Sequence, residues 1–186
     1  TWLNPRVGTD AALGLAMAQV LLAEKLHNVE YVREQTDLPI LVREDTGRYL
    51  RESDLRSGGS DGLLYFWDEA RDALAPVPGS RGEGGKSIAL GALRPALGGR
   101  HTVELANGES VGVRPMLDGL REHLDANYTP EKSAAITGVG AGTMVAGLVC
   151  IVLMRVEASS AQAWLTFGLL ALAATAAVWT TYAGSS

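Results

Sequence analysis

Apolar residues recur at helical spacing near the start of the chain. Within residues 8–28, the spacing of the apolar side chains puts them on one face of a helix, as expected for an amphipathic helix packed on a core. The residues of this face are Leu13, Met17, Val20 and Leu21. Thr9 is a favourable cap for this helix, and Asp10 in the first turn suits the positive end of the helix dipole.

Shorter elements follow along the chain. Asn28 caps a second short helix over 28–36, and the apolar runs 38–42 and 63–68 predict strands. Two alternating runs within 100–115 flank Asn107-Gly108, a pair that tolerates the positive φ angles of a tight turn. The sequence therefore predicts a β-hairpin there.

Two further helices are predicted after the hairpin. Residues 115–128 have Met116, Leu117, Leu120 and Leu124 on one side, which indicates an amphipathic helix. The segment that follows has Thr129 as a cap and Pro130 at the first helical position. Residues 1–133 therefore form a mixed α/β region without a repeat.

The end of the chain is apolar. Residues 134–154 and 163–183 are each 21 residues long and carry no charge, and about 20 apolar residues cross a bilayer as a helix. Trp164 lies near one end of the second segment and Trp179 near the other, where aromatic rings favour the lipid headgroups. The pattern predicts a transmembrane hairpin in contact with lipid.

A buried, non-membrane segment is the alternative for residues 134–154. Ala, Gly and Thr drive insertion weakly, and glycines weaken an isolated helix. In a membrane the same glycines permit close helix contact, and Gly138 and Gly142 fit a small-residue interface.

Charge divides the chain at the same place. Of the 37 charged residues, 16 basic and 21 acidic, all but Arg155 and Glu157 lie within residues 1–133. We therefore expect an α/β region over 1–133, a membrane hairpin over 134–186, and a membrane-associated protein.

Composition excludes several kinds of site. The net charge of −5 and the absence of a long basic run argue against a nucleic-acid partner. The single cysteine, Cys150, excludes an internal disulfide and a cysteine-ligated metal cluster built from this chain alone. His27, His101 and His123 are far apart and lack metal-binding spacing.

Two motifs imitate catalytic or nucleotide sites. "PVPGSRGEGGKS" (76–87) ends like a phosphate-binding loop, but Ser80 stands where that motif needs its first glycine. "GGSDG" (58–62) matches a nucleophile elbow, but it lacks the strand before and the helix after. Both are interpreted as surface loops. The carboxylates Glu44, Asp45, Glu52 and Asp54 are interpreted as a solvated face.

Several stretches, in order, resemble the catalytic subunits of the molybdopterin oxidoreductases, the dimethyl sulfoxide reductase family. The resemblance is to the branch that holds respiratory nitrate reductase and dimethyl sulfide dehydrogenase. The stretches lie between about residues 8 and 139 and read "GTDAALGLAMAQVLLAEKL", "NVEYVREQTDLPILVREDTGRYLRESDL", "LYFWDEARDALAPVPGS", "LGALRPALGGRHTVELANGESVGVRPMLDGLREHL" and "YTPEKSAAITGV".

The resemblance implies a cofactor, molybdopterin guanine dinucleotide, and a site for part of it. In the family, a Gly-Thr-Asp turn lies beside the guanine end, which assigns Gly8, Thr9 and Asp10 to cofactor contact. A carboxylate can accept paired hydrogen bonds from guanine, and a helix start offers free N–H donors. The alternative for Asp10 is a carboxylate that only complements the helix dipole. Val7 stands where the family usually has proline.

The family's iron–sulfur ligands and molybdenum ligand lie before this region, and a second dinucleotide-binding domain lies after it. The chain begins at Thr1, which suggests a fragment, and it contains neither of these parts, so we expect that it does not turn over substrate alone. The resemblance implies anaerobic-respiration electron transfer with an iron–sulfur subunit as partner. The apolar tail departs from the family, which leaves a fusion, a truncation or a gene remnant open. The alternative function is a non-catalytic, membrane-anchored α/β module with a structural or partner-binding role.

Overall fold

A computed structural model describes residues 3–80 and 90–155, with side chains up to residue 148. The chain divides into two compact units, residues 1–26 with 127–186, and residues 27–126. The helices are α1 (Asp10–Ala23), α2 (Val29–Gln35), α3 (Glu52–Leu55), α4 (Met116–Asn127), α5 (Pro130–Thr137) and α6 (Ala141–Arg155). The strands are β1 (Leu41–Arg43), β2 (Tyr65–Asp68), β3 (Ala73–Pro76), β4 (His101–Glu104) and β5 (Ser110–Pro115).

The described residues of the first unit form helices, and α1 packs against both α5 and α6. The face of α1 that is buried consists of Ala12, Ala16 and Val20, one turn apart. Burial of Val20 was expected, but Leu13 is only half-buried and packs at the edge of this core. Small alanine side chains on the inner face let the helices approach closely, so the larger residues lie beside the contact rather than in it.

α5 begins as its sequence predicts. The Thr129 hydroxyl accepts a hydrogen bond from the Lys132 N–H at 3.4 Å, and Pro130 occupies the first turn. The helix ends at Gly138, which has a left-handed φ of 76°. Glycine adopts this conformation without the steric penalty of a Cβ atom, which is why it commonly ends helices.

The expected transmembrane hairpin is wrong for the part of it that the structure describes. Residues 134–154 do not form one helix, because the left-handed turn at Gly138 separates α5 from α6, which begins only at Ala141. Across residues 3–80 and 90–155, no helix combines the length and apolarity needed to cross a bilayer. The second expected span, residues 163–183, lies outside the described residues.

The second unit, residues 27–126, is built on β-sheet. β5 pairs with β1 on one side and β4 on the other, both antiparallel. A separate hairpin pairs β2 with β3. The apolar side chains buried in the three-stranded sheet region are Leu41, Leu50, Val103, Val111 and Val113. Those of the neighbouring cluster are Ile40, Phe66, Ala75 and Val77. The mixed α/β architecture is thus as predicted.

The β4–β5 hairpin is confirmed, with a turn that differs from the simplest one. Gly108 has a φ of 82°, whereas Asn107 does not adopt a positive φ. The Gly108 N–H donates to the Leu105 carbonyl, and the Asn107 side chain accepts from the Glu109 N–H at 3.0 Å. The loop is therefore a three-residue turn that ends in a left-handed glycine.

Candidate functional site

The Gly8-Thr9-Asp10 segment forms a tight turn that leads directly into α1. Gly8 has a φ of 81°, and the Thr9 N–H donates to the Arg6 carbonyl at 3.1 Å. A positive φ at the third residue of a turn is characteristic of type II geometry, in which proline is common at the second position. Val7 takes that second position and is fully exposed, so the turn forms without the proline usual in the family.

Thr9 occupies the cap position of α1 without capping the helix with its side chain. Its hydroxyl donates to the Arg6 carbonyl at 2.6 Å, so it is oriented back into the turn. Its own carbonyl accepts from the N–H groups of Ala12 and Leu13. Within the described residues, the N–H groups of Asp10 and Ala11 have no hydrogen-bond partner, which leaves two donors open at the start of α1.

Asp10 is exposed at this open helix start, and its carboxylate makes no ion pair with any residue that the structure describes. A Cβ atom built onto Gly8 would meet no atom within 4 Å, so the space beside Gly8 is open. A carboxylate with no ion pair among the described residues can accept hydrogen bonds from a ligand, and the N–H groups beside it can donate to an anionic group. The three predicted residues thus form one contiguous turn at the start of α1, and their contact with a cofactor stays a prediction.

The "GGSDG" segment is a structural turn. The Ser60 N–H donates to the buried carboxylate of Glu52 at 2.8 Å, and the Ser60 hydroxyl accepts from the Gly62 N–H. Gly59 lies directly against the backbone of Glu52. Because the hydroxyl is oriented by its own loop, the geometry of a nucleophile elbow is absent from these residues.

The other lookalike is described only in part. The Ser80 hydroxyl donates to the Val77 carbonyl at 2.8 Å and accepts from the Leu64 N–H, so the segment starts as a turn after β3. Residues 81–89, which include Gly85, lie outside the described residues.

The expected solvated face of carboxylates is wrong for two of its four members. Glu44 and Asp45 are exposed, whereas Glu52 is 4% exposed and Asp54 is half-buried in an ion pair with Arg43. A hydrogen bond from Arg43 lowers the pKa of Asp45. Glu52 is buried because its partner N–H groups lie in the following loop, a relationship that charge patterning alone does not reveal.

Sequence inspection missed a second buried carboxylate, Asp68. It is fully buried at the end of β2, and its Oδ1 atom accepts from the N–H groups of Ala70 and Arg94. The Asp-x-Ala spacing to Ala70 is a local signal for such a turn, whereas Arg94 is far away in sequence. Asp68 holds the β2–β3 hairpin against the segment before β4.

The described residues contain no metal-binding cluster, but they do form two open concavities away from the Gly-Thr-Asp turn. Within the described ranges, no group of His, Cys, Asp and Glu is arranged to hold a metal ion. Two open concavities of about 430 and 640 Å³ belong to the unit 27–126. The first is lined by Arg33, Thr36 and Phe66, among others, and the second by Arg43 and Arg48.

Comparison with known proteins identifies the family of the chain. No protein-family model matches it. It is 40% identical to the perchlorate reductase alpha subunit of Dechloromonas aromatica, a match that covers 75% of this chain and 17% of the relative. It is 41% identical to the dimethylsulfide dehydrogenase alpha subunit of Rhodovulum sulfidophilum, with coverage of 77% and 15%. It is 40% identical to the respiratory nitrate reductase alpha subunit of Haloferax mediterranei, with coverage of 76% and 15%.

The chain spans about a sixth of the length of these relatives. The relatives share the designation of alpha subunit but differ in their named substrates, so the matched segment is common to the family rather than to one reaction. The chain belongs to the molybdopterin oxidoreductases of the dimethyl sulfoxide reductase family and corresponds to a segment of an alpha subunit.

Proposed function

We propose that this segment contributes to binding of molybdopterin guanine dinucleotide, and that its Gly8-Thr9-Asp10 turn meets the guanine nucleotide end of that cofactor. The observation that supports this proposal is the exposed carboxylate of Asp10, which has no ion pair in the described part of the chain, beside two N–H groups at the start of α1 that have no partner there either.

Each residue of the turn has its own part in this proposal. The Asp10 carboxylate accepts paired hydrogen bonds from the N–H groups of guanine, which adenine cannot supply in the same arrangement. The free N–H groups of Asp10 and Ala11 donate to acceptor or anionic groups, assisted by the helix dipole. Gly8 lets a ligand approach the backbone because it has no side chain. Thr9 fixes the turn through its bond to the Arg6 carbonyl.

The complete subunit would be an oxidoreductase of anaerobic respiration. When bound, the cofactor supplies oxidation–reduction chemistry at molybdenum, and the protein contributes binding and orientation. The relatives are named as alpha subunits of perchlorate reductase, chlorate reductase, dimethylsulfide dehydrogenase and nitrate reductase. A partner that transfers electrons through iron–sulfur clusters fits this subunit designation. Association with a membrane, which the word "respiratory" suggests for the nitrate reductase relative, would then be a property of the assembled complex.

Nucleotide binding by the 186-residue chain tests the proposal. GMP is the probe and AMP the competitor, and backbone amide NMR shifts locate binding. We expect GMP, but not AMP, to shift the amides of Gly8, Thr9 and Asp10. We expect D10N to weaken GMP binding roughly tenfold to a hundredfold, because hydrogen bonds to a charged group contribute about 1.5–3 kcal/mol.

E131Q is the matched control, since Glu131 is an exposed carboxylate in the first turn of α5. It should bind GMP like the wild-type chain. Equal binding of GMP and AMP, or shifts confined to residues 27–126, would contradict the proposed site and favour a non-catalytic α/β module.

A further inference from the structure

We propose that Arg6 is the positioning residue of the Gly-Thr-Asp turn, which it fixes to the C-terminal end of α5 without touching the nucleotide. The consequence for nucleotide affinity rests on the proposed function. The positioning itself is a property of the chain and can be measured without a ligand.

On one side, Arg6 holds the turn. Its carbonyl accepts two hydrogen bonds from the same residue, the Thr9 N–H at 3.1 Å and the Thr9 hydroxyl at 2.6 Å. This second bond diverts the Thr9 hydroxyl from the helix cap. The orientation of Thr9, and with it the open start of α1, therefore depends on where the Arg6 backbone lies.

On the other side, Arg6 satisfies the end of α5. Its N–H donates to the Thr137 carbonyl at 2.8 Å, and its Nη1 atom donates to the carbonyls of Ala135 at 3.1 Å and Ile136 at 3.4 Å. The last carbonyls of a helix have no partners within the helix. Arg6 thus supplies donors to three successive ones, and its positive charge complements the negative end of the helix dipole.

Gly138 provides the space for this arrangement. A Cβ atom at Gly138 would lie 3.3 Å from Nε of Arg6 and 3.6 Å from its Cγ. With its φ of 76°, the same residue turns the chain away from α5. Because Gly138 has no side chain, it can end α5 in the left-handed conformation and also leave room for the Arg6 side chain.

The C-terminal end of α5, which Arg6 contacts, is held by hydrogen bonds of a buried side chain. Thr137 is fully buried, donates its hydroxyl to the Ser133 carbonyl at 2.8 Å and accepts from the Val139 N–H at 3.1 Å. The Arg6 side chain is exposed by contrast. Loss of its guanidinium should therefore loosen the turn more than it lowers the stability of the whole chain.

The test compares R6Q and R6K with the wild-type 186-residue chain, and R48Q serves as control because Arg48 is exposed and forms no ion pair with described residues. Hydrogen exchange of the Arg6 and Thr9 amides is measured without nucleotide, and GMP affinity is measured separately. We expect R6Q to speed exchange at both amides about fivefold to tenfold and to weaken GMP binding by a similar factor, since each lost hydrogen bond contributes about 0.5–1.5 kcal/mol. R6K should recover most of both properties, and R48Q should change neither. G138A should act in the same direction as R6Q.

The outcomes separate this inference from the proposed function. If wild-type chain binds GMP and D10N does not, but R6Q matches wild type in exchange and affinity, the positioning role is wrong and the nucleotide site stands. If R6Q speeds exchange but the wild-type chain does not bind GMP, Arg6 positions the turn, and the proposed nucleotide binding by the turn is wrong. If R6Q prevents folding, failure of R6K to restore protection at Thr9 overturns the inference, and recovery supports it.

Discussion

The imidazole of His101 lies flat against the indole of Trp67, with ring centroids 3.9 Å apart and 13° between the planes. The indole N–H donates to the Asp72 carboxylate at 3.0 Å, whereas Nε2 of His101 is buried without a partner among the described residues. Burial lowers the pKa of His101, although the Asp72 carboxylate acts in the opposite direction. Burial therefore favours a neutral imidazole.

The burial of His101 predicts a pH-dependent stability. Because the pKa of His101 is lower in the folded chain than its ordinary value of about 6.5, its contribution is fully present above that value. It is lost as pH falls through the lower folded value, since the unfolded chain then binds the proton more readily. H101F keeps an aromatic ring but cannot titrate. Urea unfolding at pH 7.5 and 5.0 should show that wild-type chain loses stability relative to H101F on acidification. An equal difference at both pH values would contradict the prediction.

Asp68 should be the most sensitive carboxylate of the β2–β3 hairpin. D68A removes the acceptor of two backbone N–H groups and leaves Arg71 without its ion-pair partner. We expect the free energy of unfolding to fall by roughly 2–4 kcal/mol, because a buried charged acceptor is lost. D45A is the matched control, since Asp45 also pairs with an arginine but is exposed. Equal losses in urea unfolding would show that burial of Asp68 does not matter.

Two glycines should respond to alanine in opposite directions. A Cβ atom on Gly59 would overlap the Glu52 carbonyl and lie 2.8 Å from the Ser53 nitrogen, so we expect G59A to lower the free energy of unfolding by roughly 1–3 kcal/mol. Gly142 lies within α6, and a Cβ atom there would meet nothing within 4 Å. G142A should therefore raise stability by about 0.4–1 kcal/mol through lower entropy of the unfolded chain. Thermal unfolding of both variants checks this, and a loss with G142A would show a contact that the helix surface does not reveal.

Ser133 and Thr137 form a contrasting pair on the inner face of α5. Both are fully buried, but the Ser133 hydroxyl has no partner among the described residues, whereas the Thr137 hydroxyl makes two hydrogen bonds. We expect S133A to leave the free energy of unfolding unchanged or to raise it by about 1 kcal/mol, because an unsatisfied buried group is removed. T137A should lower it by about 1–3 kcal/mol. Denaturant midpoints for the two variants decide the matter, and a larger loss for S133A would point to a bound water on its hydroxyl.

Local signals predicted the parts of the fold that depend on neighbouring residues. The Asn28 side chain caps α2 by accepting from the Tyr31 N–H, Thr129 and Pro130 start α5, and Asn107-Gly108 marks the hairpin turn. In each case the donor and acceptor lie within a few residues, so the sequence contains the whole interaction.

Distant partners account for what the sequence did not reveal. Thr9 was expected to cap α1, but its hydroxyl bonds to the Arg6 carbonyl, and Arg6 is placed by carbonyls about 130 residues away. The burial of Asp68 depends in the same way on Arg94. At the candidate site, the Gly8-Thr9-Asp10 motif could be recognised from the sequence, whereas the role of Arg6 in holding it could not.

Hydropathy alone overestimates the length of the apolar helix because it contains no information on the backbone conformation. As one straight rod, residues 134–154 would extend about 31 Å, close to the thickness of a hydrocarbon layer. The left-handed residue at 138 interrupts that rod, and α6, which follows it and ends at Arg155, has 15 residues and a length of about 22 Å. Replacing Gly138 with a residue that favours the right-handed conformation would extend the apolar helix through this position. The hydrogen bonds of Arg6 to the last carbonyls of α5, however, require the helix to end here. The chain can therefore form only one of these two arrangements.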